Sequence, residues 1–174
     1  MKKITDSIKD AIFQDGAAAF AVLDGASVPE LLGRLDQWQP NFECLYRGQL
    51  APDLAAAAPY LIQLEPEGEF TEWLLSKGWG GHWGVLAASE ADLQTLRQHF
   101  RRFLTVYDES GKPLLFRYYD PRVLRIYLPS CAPEEVTAFF GPVKSYVMEG
   151  EQPDEILRFE RDPAGALKVH PDKS

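Results

Sequence analysis

Apolar residues recur along this chain with two periods, and the switches between them mark out its elements. Ile4, Ile8, Ala11 and Ile12 fall at helical spacing, which predicts a short amphipathic helix over residues 2–14, ended by Gly16. Phe20–Leu23 (FAVL) is an apolar run closed by Asp24 and Gly25, and it reads as a buried strand. Ser27 is placed to cap a helix with Pro29 in its first turn and Leu31, Leu32 and Leu35 buried. Phe42–Tyr46 (FECLY) and Tyr60–Leu64 (YLIQL) read as two further strands, separated by an alanine-rich short helix or turn over Leu50–Ala58. A short helix is expected over Phe70–Leu75, then a strand over His82–Ala87. Ser89 and Asp92 resemble a capping arrangement for a helix that carries Leu93, Leu96, Phe100, Phe103 and Leu104 on one face and Arg97, Arg101 and Arg102 on the other.

The second half predicts a hairpin. Thr105–Tyr107 and Leu114–Tyr119 are strands joined by the turn-rich stretch Asp108–Pro113. Strand alternation over 114–119 would put Leu114, Phe116 and Tyr118 on a core face and Leu115, Arg117 and Tyr119 on the other. Asp120 as N-cap and Pro121 at the first helical position start a helix that stops at Pro129. A further helix runs over Pro133–Phe140, and Val143–Met148 (VKSYVM) is the last strand of the compact body. After Gly150 the sequence turns polar, acidic and proline-punctuated. The expected organisation is one α/β (α+β mixed) domain over residues 1–150, a mixed sheet with helices packed on it plus a hairpin and short helices. Residues 151–174 are expected to be a polar, partly disordered extension, with an edge strand over Ile156–Phe159 and a loose tail over Asp162–Ser174.

Composition narrows the function. With 174 residues, the chain has room for one domain with a real core, and two full domains would be cramped. The formal net charge of −8 disfavours phosphate backbones and anionic membranes, so neither nucleic acid nor membrane is expected as a partner. No run approaches the ~20 apolar residues that span a bilayer, and Asp6, Lys9 and Asp10 interrupt any signal-peptide core after Met1–Lys3. Cys44 and Cys131 are far apart and read as buried free thiols, which with the rest suggests a cytoplasmic protein. The charge and the lack of any heptad predict a monomer when no partner is bound.

The familiar catalytic patterns are missing. The glycines between Gly78 and Gly84 lack dinucleotide spacing and lead into a strand, Gly111–Lys112 lacks the rest of a phosphate loop, and there is no nucleophile elbow. His82, His99 and His170 are scattered, so no metal site and no cofactor are expected. Asp24, at the carboxyl end of a strand, sits where α/β enzymes place chemistry, but an Asp-Gly pair is also a plain turn.

Two segments are unusually dense. Trp79 and Trp83 stand in a glycine-rich stretch, either plugging the core at a turn or rimming a peptide site. Arg117, Tyr119, Arg122 and Arg125 form an arginine–tyrosine set of the kind favoured at binding hot spots, with Asp120 and Pro121 as the structural cap between them.

The order of Phe20–Ala26 (FAVLDGA), Cys44–Gly48 (CLYRG), Ala58–Leu61 (APYL), Gly78–Gly80 with Trp83–Gly84, Leu96–Leu104, Leu115–Val123 (LFRYYDPRV) and Leu128–Pro129 resembles the adaptor, or effector-chaperone, domain of bacterial type VI secretion systems. LFRYYDPRV is the most specific of these, and the likeness covers roughly residues 15–150. The resemblance implies a non-catalytic protein that binds a secretion effector and helps load it onto the tip of the spike protein, with the effector and a carboxyl-terminal spike segment as partners. Many members of that family carry a longer region after this domain. Two other readings stay open from the residues: an immunity-type protein that binds a toxin through its acidic surface, and a small hydrolase or phosphotransferase using Asp24 and Asp120.

Overall fold

The apolar runs that read as strands pair into one sheet. A computed structural model describes residues 3–173; Met1, Lys2 and Ser174, at the limits of the expected first helix and of the tail, lie outside the described residues. The strands are β1 (Ala18–Asp24), β2 (Phe42–Cys44), β3 (Pro59–Leu64), β4 (Gly84–Ser89), β5 (Thr105–Tyr107), β6 (Pro113–Leu115), β7 (Val143–Glu149), β8 (Glu155–Arg161) and β9 (Leu167–Lys173). The helices are α1 (Ile4–Ile12), α2 (Leu31–Trp38), α3 (Pro52–Ala57), α4 (Glu69–Trp73), α5 (Leu93–Arg101), α6 (Pro121–Ser130) and α7 (Pro133–Phe140), and a π-helical turn over Leu74–Gly78 follows α4. Seven strands form the main sheet in the order β2-β3-β1-β4-β7-β8-β9, and β5 and β6 form a separate ribbon. Every ladder is antiparallel. The expected α+β arrangement of helices on a sheet with a separate hairpin is therefore what the chain adopts, but the sheet expected to be mixed is antiparallel throughout.

Both faces of the sheet are covered. Along β1, Ala19, Ala21 and Leu23 face a core shared with Ile8 and Ile12 of α1, Leu31 and Leu35 of α2 and Phe70 of α4. Phe20 and Val22 face the opposite core, built with Leu96 and Phe100 of α5, Leu124 and Leu128 of α6 and Phe139 and Phe140 of α7. A central strand buried on both sides explains why its sequence is a continuous apolar run, and each fully buried Leu or Phe contributes roughly 1.5–3 kcal/mol.

Capping follows the sequence with two changes. Asp120 caps α6 as expected, its Oδ1 accepting from the Arg122 N–H at 2.9 Å, with Pro121 in the first turn. For α5 the cap is Asp92, which accepts from Thr95 N–H at 2.8 Å, while Ser89 ends β4 and donates to the Pro142 carbonyl. Ser27 does not cap α2, which begins at Leu31; its hydroxyl donates to Asp24 Oδ2 at 2.8 Å.

Two expectations are corrected. The strand predicted over Leu114–Tyr119 stops at Leu115. Asp120 N–H bonds back to the Arg117 carbonyl at 3.0 Å, and this turn breaks the alternation, so Tyr118 and Tyr119 are both buried. The segment expected as a loose tail is also structured. β8 pairs with β7 and buries Ile156 and Phe159 on opposite faces, and β9 adds to β8 over seven residue pairs. As the sheet's edge, β9 keeps most of its side chains in solvent, so it needs few apolar residues and left no periodic signal.

Candidate functional site at one end of the sheet

The antiparallel register gathers the carboxyl ends of β1 and β7 and the amino ends of β3 and β4 at one end of the sheet. Asp24 stands opposite Pro59, and Leu23 opposite both Tyr60 and Gly84. Most residues singled out in the sequence meet there.

Asp24 is the first anchor. It is 2% exposed, and its carboxylate closes the turn after β1 by accepting from Ala26 N–H at 3.0 Å and from the Ser27 hydroxyl. Its remaining partner is Arg117, ion-paired to Oδ2. The next residue must be glycine: a Cβ on Gly25 would lie 2.4 Å from the Ala58 carbonyl oxygen. The Arg117 side chain is 45% exposed, so one flank of the guanidinium holds a buried acid while the other meets solvent. The neighbouring Tyr119 is not on a surface face. Burial pushes its phenol well above the usual range, Tyr46 and Asp24 add to the rise, and Arg117 partly offsets it. Tyr119 thus belongs to the packing behind Arg117.

Asp120 is the second anchor. Besides capping α6 it accepts from Arg122 Nε at 3.0 Å and Nη2 at 2.7 Å, a bidentate pair. Burial pushes the carboxyl up, but the Arg122 hydrogen bonds and charge, helped by Arg117, outweigh it and hold the group below the usual carboxylate range. The Arg122 side chain is 53% exposed. Arg125 is spent on architecture, donating from Nη1 to the Gly150 carbonyl at 2.6 Å and tying α6 to the end of β7.

Glu149 is the third anchor, and sequence reasoning missed it. It is buried at the end of β7 and accepts from Gly80 N–H and from His82 Nδ1, so it clamps the Gly78–Gly84 loop onto the sheet end. Its signal was present: Ser145, Val147 and Glu149 alternate on one face, and Val147 is core, so the acid occupies a core-facing position. His82 takes a left-handed conformation (φ 58°) to reach it, and is a loop residue rather than the strand residue expected.

The same loop settles the tryptophans. Trp79 and Trp83 are partly buried and pack on the α1–α2 side of the core, with Trp83 5.1 Å from the Trp73 ring. Gly78 makes room for Trp83, since a Cβ there would lie 2.5 Å from its ring. Both therefore take part in the packing of this loop on the core.

The basic helix face is also engaged. Arg97 pairs with Glu43 at 2.6 Å, Arg101 donates to the carbonyls of Cys44, Leu45 and Tyr46, and Arg102 reaches the buried His99. Cys44 and Cys131 are free and half-buried rather than buried.

The site is therefore three buried acids, each held by a guanidinium or a loop, with the open flanks of Arg117 and Arg122 presented at fixed positions. Among the described residues no group of three or more His, Cys, Asp or Glu is arranged to hold a metal ion, and no helix is long and apolar enough to cross a membrane. Comparison with curated proteins and with solved structures returned no match. A family model described as a domain of unknown function, DUF4123, matches residues 19–138, from β1 into α7. That span is well over half of the chain and contains Asp24, Trp79, Trp83, Arg117, Asp120, Arg122 and Arg125; the chain belongs to the DUF4123 family.

Proposed function

We propose that this chain is a non-catalytic cytoplasmic adaptor of a bacterial type VI secretion system, binding an effector and helping to load it onto the spike tip. The resemblance in LFRYYDPRV supports the system, and membership of the DUF4123family is compatible with it. The observation that carries the binding reading is the pair of half-exposed guanidiniums, Arg117 and Arg122, each fixed by an acid buried beneath it. An arginine held in this way loses little side-chain entropy when it binds, and its remaining N–H groups suit carboxylates or the exposed carbonyls of an extended segment.

The hydrolase reading draws no support from the same geometry. Asp24 is committed to Ala26, Ser27 and Arg117, and Asp120 to the α6 cap and Arg122. The immunity reading shares the binding logic and differs in outcome. The test is calorimetric titration of wild-type protein and Arg122→Ala with the amino-terminal region of the effector and the carboxyl-terminal segment of the spike. Binding of either partner, weakened by ~1–3 kcal/mol in the variant, is the expected result. Absence of binding to both, or neutralisation of the effector's toxicity on co-expression, would overturn the adaptor reading.

A further inference from the structure

The three anchors at the sheet end share their charges. Asp120 feels both guanidiniums: Arg122 bonds to it, and Arg117, already paired with Asp24, also acts on it. Glu149, which holds His82, acts in turn on Arg122. Acids and donors therefore alternate along a row of Asp24, Arg117, Asp120, Arg122, Glu149 and His82. The acids are buried, and the donors reach solvent.

The charge balance of this row decides what it can hold. Each guanidinium is neutralised from behind by an acid that water hardly reaches, while its outward flank is screened. Three carboxylates stand against two guanidiniums and one imidazole, so the row carries no net positive charge whatever the protonation of His82. The turn after β7 adds Glu151, Asp154 and Glu155 at the same end, against Arg125 of α6. A carboxylate arriving here finds donors but no net positive field, and it gives up its own hydration to reach them. A backbone carbonyl accepts the same N–H bonds and brings no charge.

The surface next to these donors is apolar. Ile126 lies one turn beyond Arg122 on the same face of α6, belongs to neither core, and is 71% exposed, more than any other large apolar side chain among the described residues. One exposed isoleucine is ordinary by itself. Beside two fixed donors without net charge, it supplies the apolar contact that an uncharged segment needs. We propose that the sheet end takes an uncharged apolar segment of the partner, with backbone carbonyls on Arg117 and Arg122 and an apolar side chain on Ile126, a refinement that rests on the adaptor reading. An acidic segment is the occupant it excludes.

Calorimetry is run with the effector's amino-terminal region and with the spike's carboxyl-terminal segment, on wild-type protein, Arg122→Ala and Ile126→Ser, each checked for folding by circular dichroism. The partner whose binding Arg122→Ala weakens is then titrated into wild-type protein at ~50 and ~500 mM NaCl. Its Kd is expected to change by less than about threefold between the two, since no net charges are brought together. Ile126→Ser is expected to weaken the same binding about tenfold with Tm unchanged, as for an exposed contact residue. Weakening of more than about tenfold at the higher salt, or loss of binding when the segment's Asp and Glu are replaced by Asn and Gln, identifies an acidic occupant and overturns the refinement while the adaptor reading stands. Unchanged binding in folded Ile126→Ser or Arg122→Ala also overturns it, and absence of binding to both partners removes the two readings together.

Discussion

Replacing Arg117 with alanine separates architecture from recognition at the sheet end. The substitution strands Asp24, which is 2% exposed and keeps only Ala26 N–H and the Ser27 hydroxyl as partners. Removing one member of a fully buried pair costs about 3–5 kcal/mol, because the other charge is left without compensation. Arg117 is itself 45% exposed, so water already screens the pair and will enter the space the side chain leaves. The two retained turn bonds lower the cost again. The expected loss is about 2–3 kcal/mol, which for a domain of this size is a fall in Tm of roughly 4–12 °C. Urea denaturation with an unchanged m-value measures it. Asp24→Asn with Arg117→Ala should recover part of the loss, since the stranded charge is then absent. If Arg117→Ala costs less than about 1 kcal/mol, as for an ordinary exposed position, the buried pair is not holding the sheet end and the assignment of Arg117 as an anchored donor is wrong.

Four further outcomes follow from other contacts. Asp120→Ala should lose roughly 0.5–2 kcal/mol in denaturation through the α6 cap, and should also weaken binding by the folded protein because it releases the Arg122 guanidinium that the acid fixes. Gly78→Ala should lose about 1–3 kcal/mol by overpacking against Trp83, detectable also as a shift in tryptophan emission. Burial holds His99 below its ordinary value of 6.5, with Arg102 acting in the same direction and the hydrogen bond to the Phe139 carbonyl opposing it. Its folded-state value lies below the unfolded one, so its stabilising share is complete above about pH 6.5 and falls as the pH drops through that window; His99→Gln should flatten this part of the profile in denaturation at about pH 7.5 and 5.5. Truncation after Asp162 should lower Tm by more than a few degrees and promote association, because it removes β9 and uncovers the edge of β8.

The parts of the fold legible in the sequence are those whose burial follows a single period. β1, β3, β4 and β7 are buried runs, and their cores fill with residues that helical spacing placed on α1 and α5. Asp120 and Pro121 announced α6 because capping is a local matter. What failed depended on distant partners. Tyr119 was misplaced because the turn from Arg117 to Asp120 replaces strand alternation, and nothing local requires that turn. β9 was missed because an edge strand is held by backbone pairing to β8 rather than by an apolar stripe. Of the site, the arginines and Asp120 were found, whereas the pairing of Arg117 with Asp24 and the part played by Glu149 were not. Asp24 lies 93 positions from Arg117, and Glu149 lies 67 from His82. The first pairing needs the segment between β6 and α6 to pack at the sheet end, and the second needs β7 to lie beside β4.

The most direct test of the adaptor proposal is reconstitution. Purified chain is mixed with the effector and the spike protein, and the mass of the eluting species is measured by light scattering, with the effector's toxic activity assayed in the same fractions. The account predicts a complex containing the effector, transfer of that effector to the spike, and toxic activity retained. A chain that elutes alone from both partners, or a complex in which the effector's activity is abolished, would contradict it.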